Sequence, residues 1–231
     1  MDPVHGLGFA HFLAQSDTVG RVILGILVLM SVASWYLIAA KSIMVALEYR
    51  RSRRFLDAFW SAPTLATLQA RSDDAMAADI FTHLTRSALA AHRQGDGEFL
   101  TRAMRRVIDE DTARLESGLT VLASVGSTAP FVGLFGTVWG VYHALVAIGL
   151  SGQGTLGKVA GPVGEALIMT ALGLAVAIPA VIGYNGFVRA NRLVLAKLDA
   201  FAHDLYAVLT TGASVQGAGA VVALRPAAKG S

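Results

Sequence analysis

Three long apolar stretches alternate along the chain with segments rich in charged residues. The first runs from Val22 to Ala40 without a charge. At about 1.5 Å per residue it nearly crosses a hydrocarbon core of roughly 30 Å. The second lies within residues 119–150, and the third runs from Gly161 to Phe187. Because each stretch has the length and apolar character of a membrane helix, we predict three transmembrane spans.

The polar segments have the spacing of helices. Within residues 42–114, a turn is predicted at residues 95–97 and another break at residues 62–64. After the third span, apolar residues recur at steps of four and three, which is typical of an amphipathic helix; they are Val194, Leu198, Phe201, Leu205 and Val208. The predicted fold class is an all-α membrane protein with three transmembrane helices, two of them extended into long cytoplasmic helices.

Segment boundaries follow from the same pattern. A helix start is predicted at Ser16-Asp17, where a side-chain oxygen can cap the first free amides, and Pro130 is expected to bend the second span. The predicted segments are a periplasmic N-terminal segment (1–18), transmembrane helix 1 (19–41), a cytoplasmic helical loop (42–114), a cytoplasmic extension with transmembrane helix 2 (115–150), a short periplasmic loop (151–160), transmembrane helix 3 (161–188), a cytoplasmic helix (189–212) and a disordered tail (213–231).

Composition supports a membrane location. Of the residues, 54% are hydrophobic and 15% are charged, against roughly 25% charged in a typical soluble domain. The net charge of +3 reflects basic residues near the span ends, and no nucleic acid partner is predicted. Basic residues concentrate at 50–54 and 189–197, and such residues favour the cytoplasmic side. We therefore predict a periplasmic N-terminus and a cytoplasmic C-terminus, in contact with the lipid bilayer.

Glu165 is the one acidic or basic residue in the third span. An ionised carboxylate in hydrocarbon costs several kcal/mol, so this group is expected to face protein or a wet cavity and to favour its neutral form. A carboxyl that titrates near the operating pH can take a proton from one side and release it to the other. The alternative is that Glu165, close to the start of the span, merely meets water or a lipid headgroup.

Small and hydroxylated residues mark the second and third spans. Gly136 and Gly140 form a small-xxx-small pair that Gly133 extends, and such a face lets another helix backbone approach closely. Thr137 and Thr170 carry hydroxyls that can line a hydrated path beside Glu165. The alternative is that each threonine only hydrogen-bonds to a preceding carbonyl of its own helix.

Other candidate chemistry is sparse. His143 can titrate near neutral pH, but it lies beside Trp139 and Tyr142, which favours an interfacial aromatic belt over a proton relay. The remaining histidines show no ligand spacing, and the chain has no cysteine. No catalytic triad or phosphate-binding loop is present in the sequence. We therefore expect no enzymatic activity, no metal and no cofactor.

Two parts of these spans resemble a known family. The run 129–140, APFVGLFGTVWG, resembles the second-span signature of the ExbB/TolQ group, which is related to the MotA flagellar stator. The runs 161–167 (GPVGEAL) and 177–185 (AIPAVIGYN) resemble its third-span signature. Within the group, residues 200–205 and 142–145 are similar to some ExbB proteins, whereas Phe59-Trp60 is more like TolQ.

The resemblance implies a function. It implies a bacterial inner-membrane proton channel made of a homopentamer around a dimer of ExbD transmembrane helices. Proton flow would energise TonB and, through it, outer-membrane import of iron-siderophores and similar nutrients. The alternative is the TolQ role in the Tol-Pal envelope system. By motif position, Glu165 matches the family's pore carboxylate, and Thr137 and Thr170 match its pore-lining threonines.

Overall fold

The structure, a computed structural model, describes residues 17–60, 79–151 and 156–211, except the side chains of residues 60, 151, 156–162 and 165. Everything predicted for residues 1–16, for the break at 62–64, for residues 152–155 of the periplasmic loop and for the tail at 213–231 lies outside the described residues. The described part contains five helices, α1 Thr18–Trp60, α2 Ile80–Gln94, α3 Gly97–Glu116, α4 Leu119–Ser151 and α5 Leu156–Thr211. The predicted all-α architecture is confirmed.

Three stretches of helix are long and apolar enough to cross a membrane. They lie within Thr18–Phe59, Gly97–Leu150 and Ala166–Thr211 of the described residues. The three predicted spans are therefore confirmed as candidates by length and composition. The polypeptide is a membrane protein whose described backbone satisfies its own hydrogen bonds by helix formation, as hydrocarbon requires.

Two helix boundaries differ from the predicted ones. α1 does not end with the span near Lys41 but continues to Trp60, since residues 42–60 contain neither glycine nor proline to stop a helix. The predicted helix extension before the second span is interrupted. Ser117 caps the end of α3, since its backbone N–H donates a hydrogen bond to the Ala113 carbonyl oxygen. Gly118 then adopts a positive φ of 79° before α4 begins.

The start of the third long helix also differs. Residues 156–160, predicted as part of a loop, are helical, because α5 begins at Leu156. The helix then runs without a break through Pro162 and Pro179 to Thr211. Pro130 likewise lies inside the continuous helix α4.

The described helices divide into two compact units. Of the described residues, 17–40, 118–151 and 156–187 form the membrane unit, and 41–60, 79–117 and 188–211 form the polar unit. In the membrane unit, α1 buries a stripe made of Ile23, Leu24, Leu27 and Ser34, whereas large apolar side chains such as Leu29 point outward. Outward apolar side chains are the arrangement expected where the solvent is lipid.

The polar unit has a water-soluble type of core. Phe201 lies at its centre, with ring centroids 4.8 Å from Phe59, 5.5 Å from Phe81 and 6.3 Å from Phe55, all in edge-to-face geometry. Such aromatic pairs stabilise a core beyond the area that they bury. The amphipathic stripe predicted after the third span is confirmed here, since four of its five members are buried, namely Leu198, Phe201, Leu205 and Val208.

Side chains complete the helix ends of the polar unit. Asp79 and Asp96 cap α2 and α3 by accepting hydrogen bonds from the amides of Thr82 and Phe99. At the far end of α3, the Leu115 carbonyl accepts from two buried side chains, Lys41 Nζ at 2.8 Å and Asn191 Nδ2 at 2.9 Å. This carbonyl therefore connects α1, α3 and α5 within the polar unit.

Candidate functional site

The second and third spans pack with their backbones in contact. A Cβ atom on Gly133 would lie 2.6 Å from the Met169 carbonyl oxygen and 3.0 Å from the Cα of Gly173. A Cβ on Gly173 would in turn lie 2.7 Å from the Ala129 carbonyl oxygen. Distances below 3.0 Å to backbone atoms leave no room for a side chain, so α4 and α5 can approach this closely only with glycine at both positions.

The other two glycines singled out in the sequence lie along the same helix. A Cβ on Gly140 would meet the Ala166 Cβ at 2.9 Å, and one on Gly136 would meet the Met169 side chain at 3.1 Å and Ile23 at 3.3 Å. The face of α4 at Gly136 is therefore close to both α5 and α1. The sequence reasoning missed Gly173, although it stands four residues before the small residue Ala177 in the same helix.

The close approach brings the two predicted threonines into hydrogen-bonding contact. The Thr137 and Thr170 hydroxyls bond to each other across the helix interface. Thr137 Oγ1 also lies 3.0 Å from the Ala166 carbonyl oxygen on α5 and 3.2 Å from the Gly133 carbonyl oxygen on its own helix. Thr137 has one hydroxyl proton. When Thr137 donates it to a carbonyl, the Thr170 hydroxyl must donate to Thr137, so both hydrogen bonds run in the same direction.

Glu165 lies in α5 directly before Ala166, whose carbonyl accepts from Thr137. Its side chain lies outside the described part of the structure. The described geometry thus brings Thr137 of α4 into contact with Thr170 and with the Ala166 carbonyl of α5, and Ala166 follows Glu165 in the sequence. Thr137 does make the bond within its own helix that the alternative interpretation requires, but it also reaches across to α5, which that interpretation does not predict.

His143 lies at one end of α4 in an exposed aromatic cluster. Its ring centroid is 4.6 Å from that of Trp139 and 5.4 Å from that of Tyr142. The indole N–H of Trp139 donates to Asp17 at 2.7 Å, and the other carboxylate oxygen of Asp17 accepts from the amide of Gly20. This link between the start of α1 and α4 was missed, because residues 122 positions apart leave no periodic signal in the sequence.

The electrostatics of this cluster favour a charged Asp17. Partial burial acts to raise its pKa, but the hydrogen bonds from Trp139 and Gly20, with His143 and Arg21 nearby, lower the pKa below its ordinary value of 3.8. Among the residues that the structure describes, no group of three His, Asp or Glu side chains is arranged to hold a metal ion. The hydroxyl pair at the helix interface is therefore the strongest candidate site.

Comparison with known proteins identifies the family. Residues 72–200, a stretch that includes Thr137, Glu165 and Thr170, match the MotA/TolQ/ExbB proton channel family. The chain belongs to this family. Its members are channel proteins of membranes, in agreement with the three apolar helices. The resemblance seen in the sequence is confirmed.

Relatives from both branches of the MotA/TolQ/ExbB family are similar to the chain. The Biopolymer transport protein ExbB of Xanthomonas campestris pv. campestris is 40% identical over 231 residues, covering 91% of each chain. ExbB of Neisseria gonorrhoeae is 54% identical over 109 residues, 47% of this chain and 50% of the relative. The Tol-Pal system protein TolQ of Pseudomonas aeruginosa is 35% identical over 209 residues, 85% of this chain and 90% of the relative.

Proposed function

We propose that the chain is an ExbB-type subunit of a proton channel in the bacterial inner membrane, with Glu165 as the proton carrier. The observation that carries the proposal is the hydrogen-bonded pair Thr137–Thr170, which spans the α4–α5 interface beside the carbonyl that follows Glu165. The family and the apolar helices support a channel. The periplasmic N-terminus and cytoplasmic polar unit are part of the proposal, supported by the basic residues near the span ends.

The hydroxyl pair has the chemistry of a proton relay. Each hydroxyl has one proton to donate and lone pairs to accept another, so either member of the pair can act as the donor to the other. Glu165 would load a proton on one side and unload it on the other, with the threonines holding the local path polar. Each elementary charge that crosses 100 mV releases roughly 2.3 kcal/mol, so a few protons supply useful work.

A partner assembly completes the proposal. A homopentamer would place one Glu165 per subunit in a ring, and a ring presents equivalent sites to a rotating partner. An ExbD dimer in the central pore would be that partner and would pass the work to TonB for outer-membrane nutrient import. We propose no enzymatic step.

TolQ is the second candidate function. It is supported by the relative from Pseudomonas aeruginosa, which covers most of the chain. The ExbB assignment is preferred because the Xanthomonas relative is more similar over a larger share of the chain. In the TolQ role the same channel would drive the Tol-Pal envelope system.

Complementation tests the proposal. The native gene is deleted and replaced by the wild type, by Glu165→Gln or by the matched control Glu116→Gln, an exposed residue of the polar unit. Growth on a ferric siderophore as sole iron source and detergent resistance are scored at equal protein abundance. We expect wild type and Glu116→Gln to restore iron-dependent growth and Glu165→Gln to fail. Rescue of detergent resistance alone assigns the TolQ role, and full function of Glu165→Gln refutes the proton-carrier role.

A further inference from the structure

The polar unit contains a buried carboxylate that the channel proposal does not use. Asp111 on α3 is 3% exposed, and its Oδ2 lies 3.0 Å from Nδ1 of His83 on α2. Removing a carboxylate from water costs several kcal/mol unless it is well paired, so such a group is a candidate for a functional role. The contact holds the imidazole ring of His83 by its Nδ1 atom.

His83 also borders a groove between α2 and α3. The groove has a volume of about 540 Å³. Since Nδ1 is engaged by Asp111, the opposite ring nitrogen, Nε2, remains for a ligand in the groove, and the His83 side chain is 39% exposed. A carboxylate–histidine pair of this kind can present either an acceptor or, once protonated, an N–H donor.

Two arginines of α3 add positive charge to the groove. Arg102 and Arg106 both line it, with side chains that are 71% and 81% exposed. Each pairs with a glutamate one turn away, Arg102 with Glu98 at 3.5 Å and Arg106 with Glu110 at 2.8 Å. Exposed pairs of this type contribute at most about 1 kcal/mol and leave most guanidinium donors open, so an incoming carboxylate can compete for them.

The groove also has an apolar wall. Phe99 lines it and is 42% exposed, and Ala103 and Val107 lie beside it. A free phosphate ion would use only the cationic part of this surface. A chain segment carrying both acidic and apolar side chains would use the charged groups and the wall together.

We propose that this groove binds an acidic segment of a partner protein, whose carboxylates pair with Arg102, Arg106 and His83 and whose apolar side chain packs on Phe99. Asp111 is then a positioning residue that keeps Nε2 directed at the ligand. A carboxylate that accepts from Nε2 requires an N–H at that nitrogen. Asp111 contacts His83, and the charged residues that line the groove with His83 are Arg102, Arg106 and Glu110.

Fluorescence anisotropy on the full-length protein in detergent tests the proposal. The probe is a labelled peptide in which Glu alternates with Leu, and the reference peptide carries Gln for Glu. We expect the double variant R102A/R106A to weaken binding of the Glu peptide about tenfold or more. The matched control is Arg105→Ala, an exposed arginine of the same helix outside the groove lining, which should bind like wild type.

Substitution of the histidine at constant pH tests its role. His83→Gln should weaken binding of the Glu peptide less than R102A/R106A does, because it removes one contact and leaves both arginines in place. Equal losses in the Arg105→Ala and R102A/R106A proteins would mean non-specific charge attraction and overturn the proposal. Binding of inorganic phosphate in place of the peptide would identify a phosphate site and would also overturn it. None of these outcomes depends on channel activity.

Discussion

The interior of the membrane unit and the interior of the polar unit are packed in different ways. In the membrane unit, glycines bring two backbones into contact at Gly133 and Gly173, and large side chains such as Phe131 are 70% exposed. In the polar unit, large side chains such as Phe201, 3% exposed, fill the interior, and most charged side chains lie at the surface. One chain therefore follows two packing rules, and the division between them lies within α1 and α5.

The difference arises from the solvent that each unit meets. In water, burial of a large apolar side chain is the main driving force of folding. In lipid that force between helices is absent, so contact depends on close van der Waals approach and on a few interhelical hydrogen bonds. Substitution of a phenylalanine should therefore lower the stability of the polar unit most, whereas substitution of a close-contact glycine should lower the stability of the membrane unit most.

The largest expected effect is that of Phe201→Ala. Removal of this ring from the aromatic centre of the polar unit should lower the free energy of unfolding by about 3–5 kcal/mol. Guanidinium titration of the purified protein in detergent, followed by circular dichroism, measures the loss.

Phe131→Ala is the matched control for that loss. Its ring already faces outward in the membrane unit, so the same truncation should leave the unfolding free energy unchanged. Similar losses in both variants would contradict the division into two packing rules. A loss at Phe131 that depends on protein concentration would indicate instead that another subunit covers this ring.

A smaller effect is expected for Gly133→Ala. The added Cβ would lie 2.6 Å from a backbone oxygen, and such overpacking typically costs about 1–3 kcal/mol. Gly25→Ala, on an exposed helical position with nothing within 4 Å of the added Cβ, should not destabilise and should gain up to about 1 kcal/mol, because alanine is the better helix former. Thermal unfolding in detergent compares the two, and an equal cost for both would show that the backbones of α4 and α5 are not in tight contact.

The hydrogen bond between Thr137 and Thr170 should contribute little to stability and much to proton flux. In a double-mutant cycle with Thr137→Val and Thr170→Val, we expect a coupling energy of about 0.6 kcal/mol, the average for interhelical hydrogen bonds in membranes. Proton flux into vesicles should fall far more in Thr137→Val than in Thr137→Ser, which keeps the hydroxyl. Equal proton flux in Thr137→Val and Thr137→Ser would show that the hydroxyl is not needed for proton transfer and that Thr137 only packs against α5.

The smallest effects are opposite pH dependences in the two units. Burial raises the pKa of Glu48 above its ordinary value of 4.5, with Asp79 nearby adding to the rise and the Ile80 amide, Arg114 and Arg51 opposing it. The folded polar unit then binds a proton more tightly than the unfolded chain does, so its stability should increase as pH falls from above this raised pKa to 4.5. Glu48→Gln should remove that increase, as followed by guanidinium titration at successive pH values.

Asp17 should act in the other direction. Its lowered pKa means that its contribution is present above pH 3.8 and is lost as pH falls through the folded-state value. Asp17→Asn should therefore lower the stability of the membrane unit near neutrality and reduce its further loss in acid. If Glu48→Gln and Asp17→Asn changed the pH dependence of stability in the same direction, the opposite pKa shifts of Glu48 and Asp17 would be contradicted.

Patterns of composition and period were sufficient to predict much of the fold. The three spans and the stripe through Leu198 and Phe201 were predictable, because each repeats along one helix. Residues 42–60 were predicted to be helical, but the unbroken continuation of α1 through Lys41 to Trp60 was not, because the change from apolar to charged residues near Lys41 was interpreted as the end of the first helix. The contacts of Leu115 and Asp111 with residues far along the chain leave no periodic signal.

The candidate site was predictable only in part. Gly133 and Thr137 were singled out from residue type and spacing, and both lie at the α4–α5 contact. The hydrogen bond between Thr137 and Thr170 could not be predicted, because it depends on how closely α4 and α5 approach, and the sequence of one span does not give that distance. The proton-carrying role of Glu165 stays a prediction.

The shared Leu115 carbonyl has a consequence for biogenesis. One of its donors, Lys41, is synthesised 74 residues before it, whereas the other, Asn191, emerges 76 residues later, after both remaining spans. Both remaining spans are therefore synthesised before the polar unit can close. The phenylalanine cluster likewise lacks its central ring until Phe201 has been synthesised.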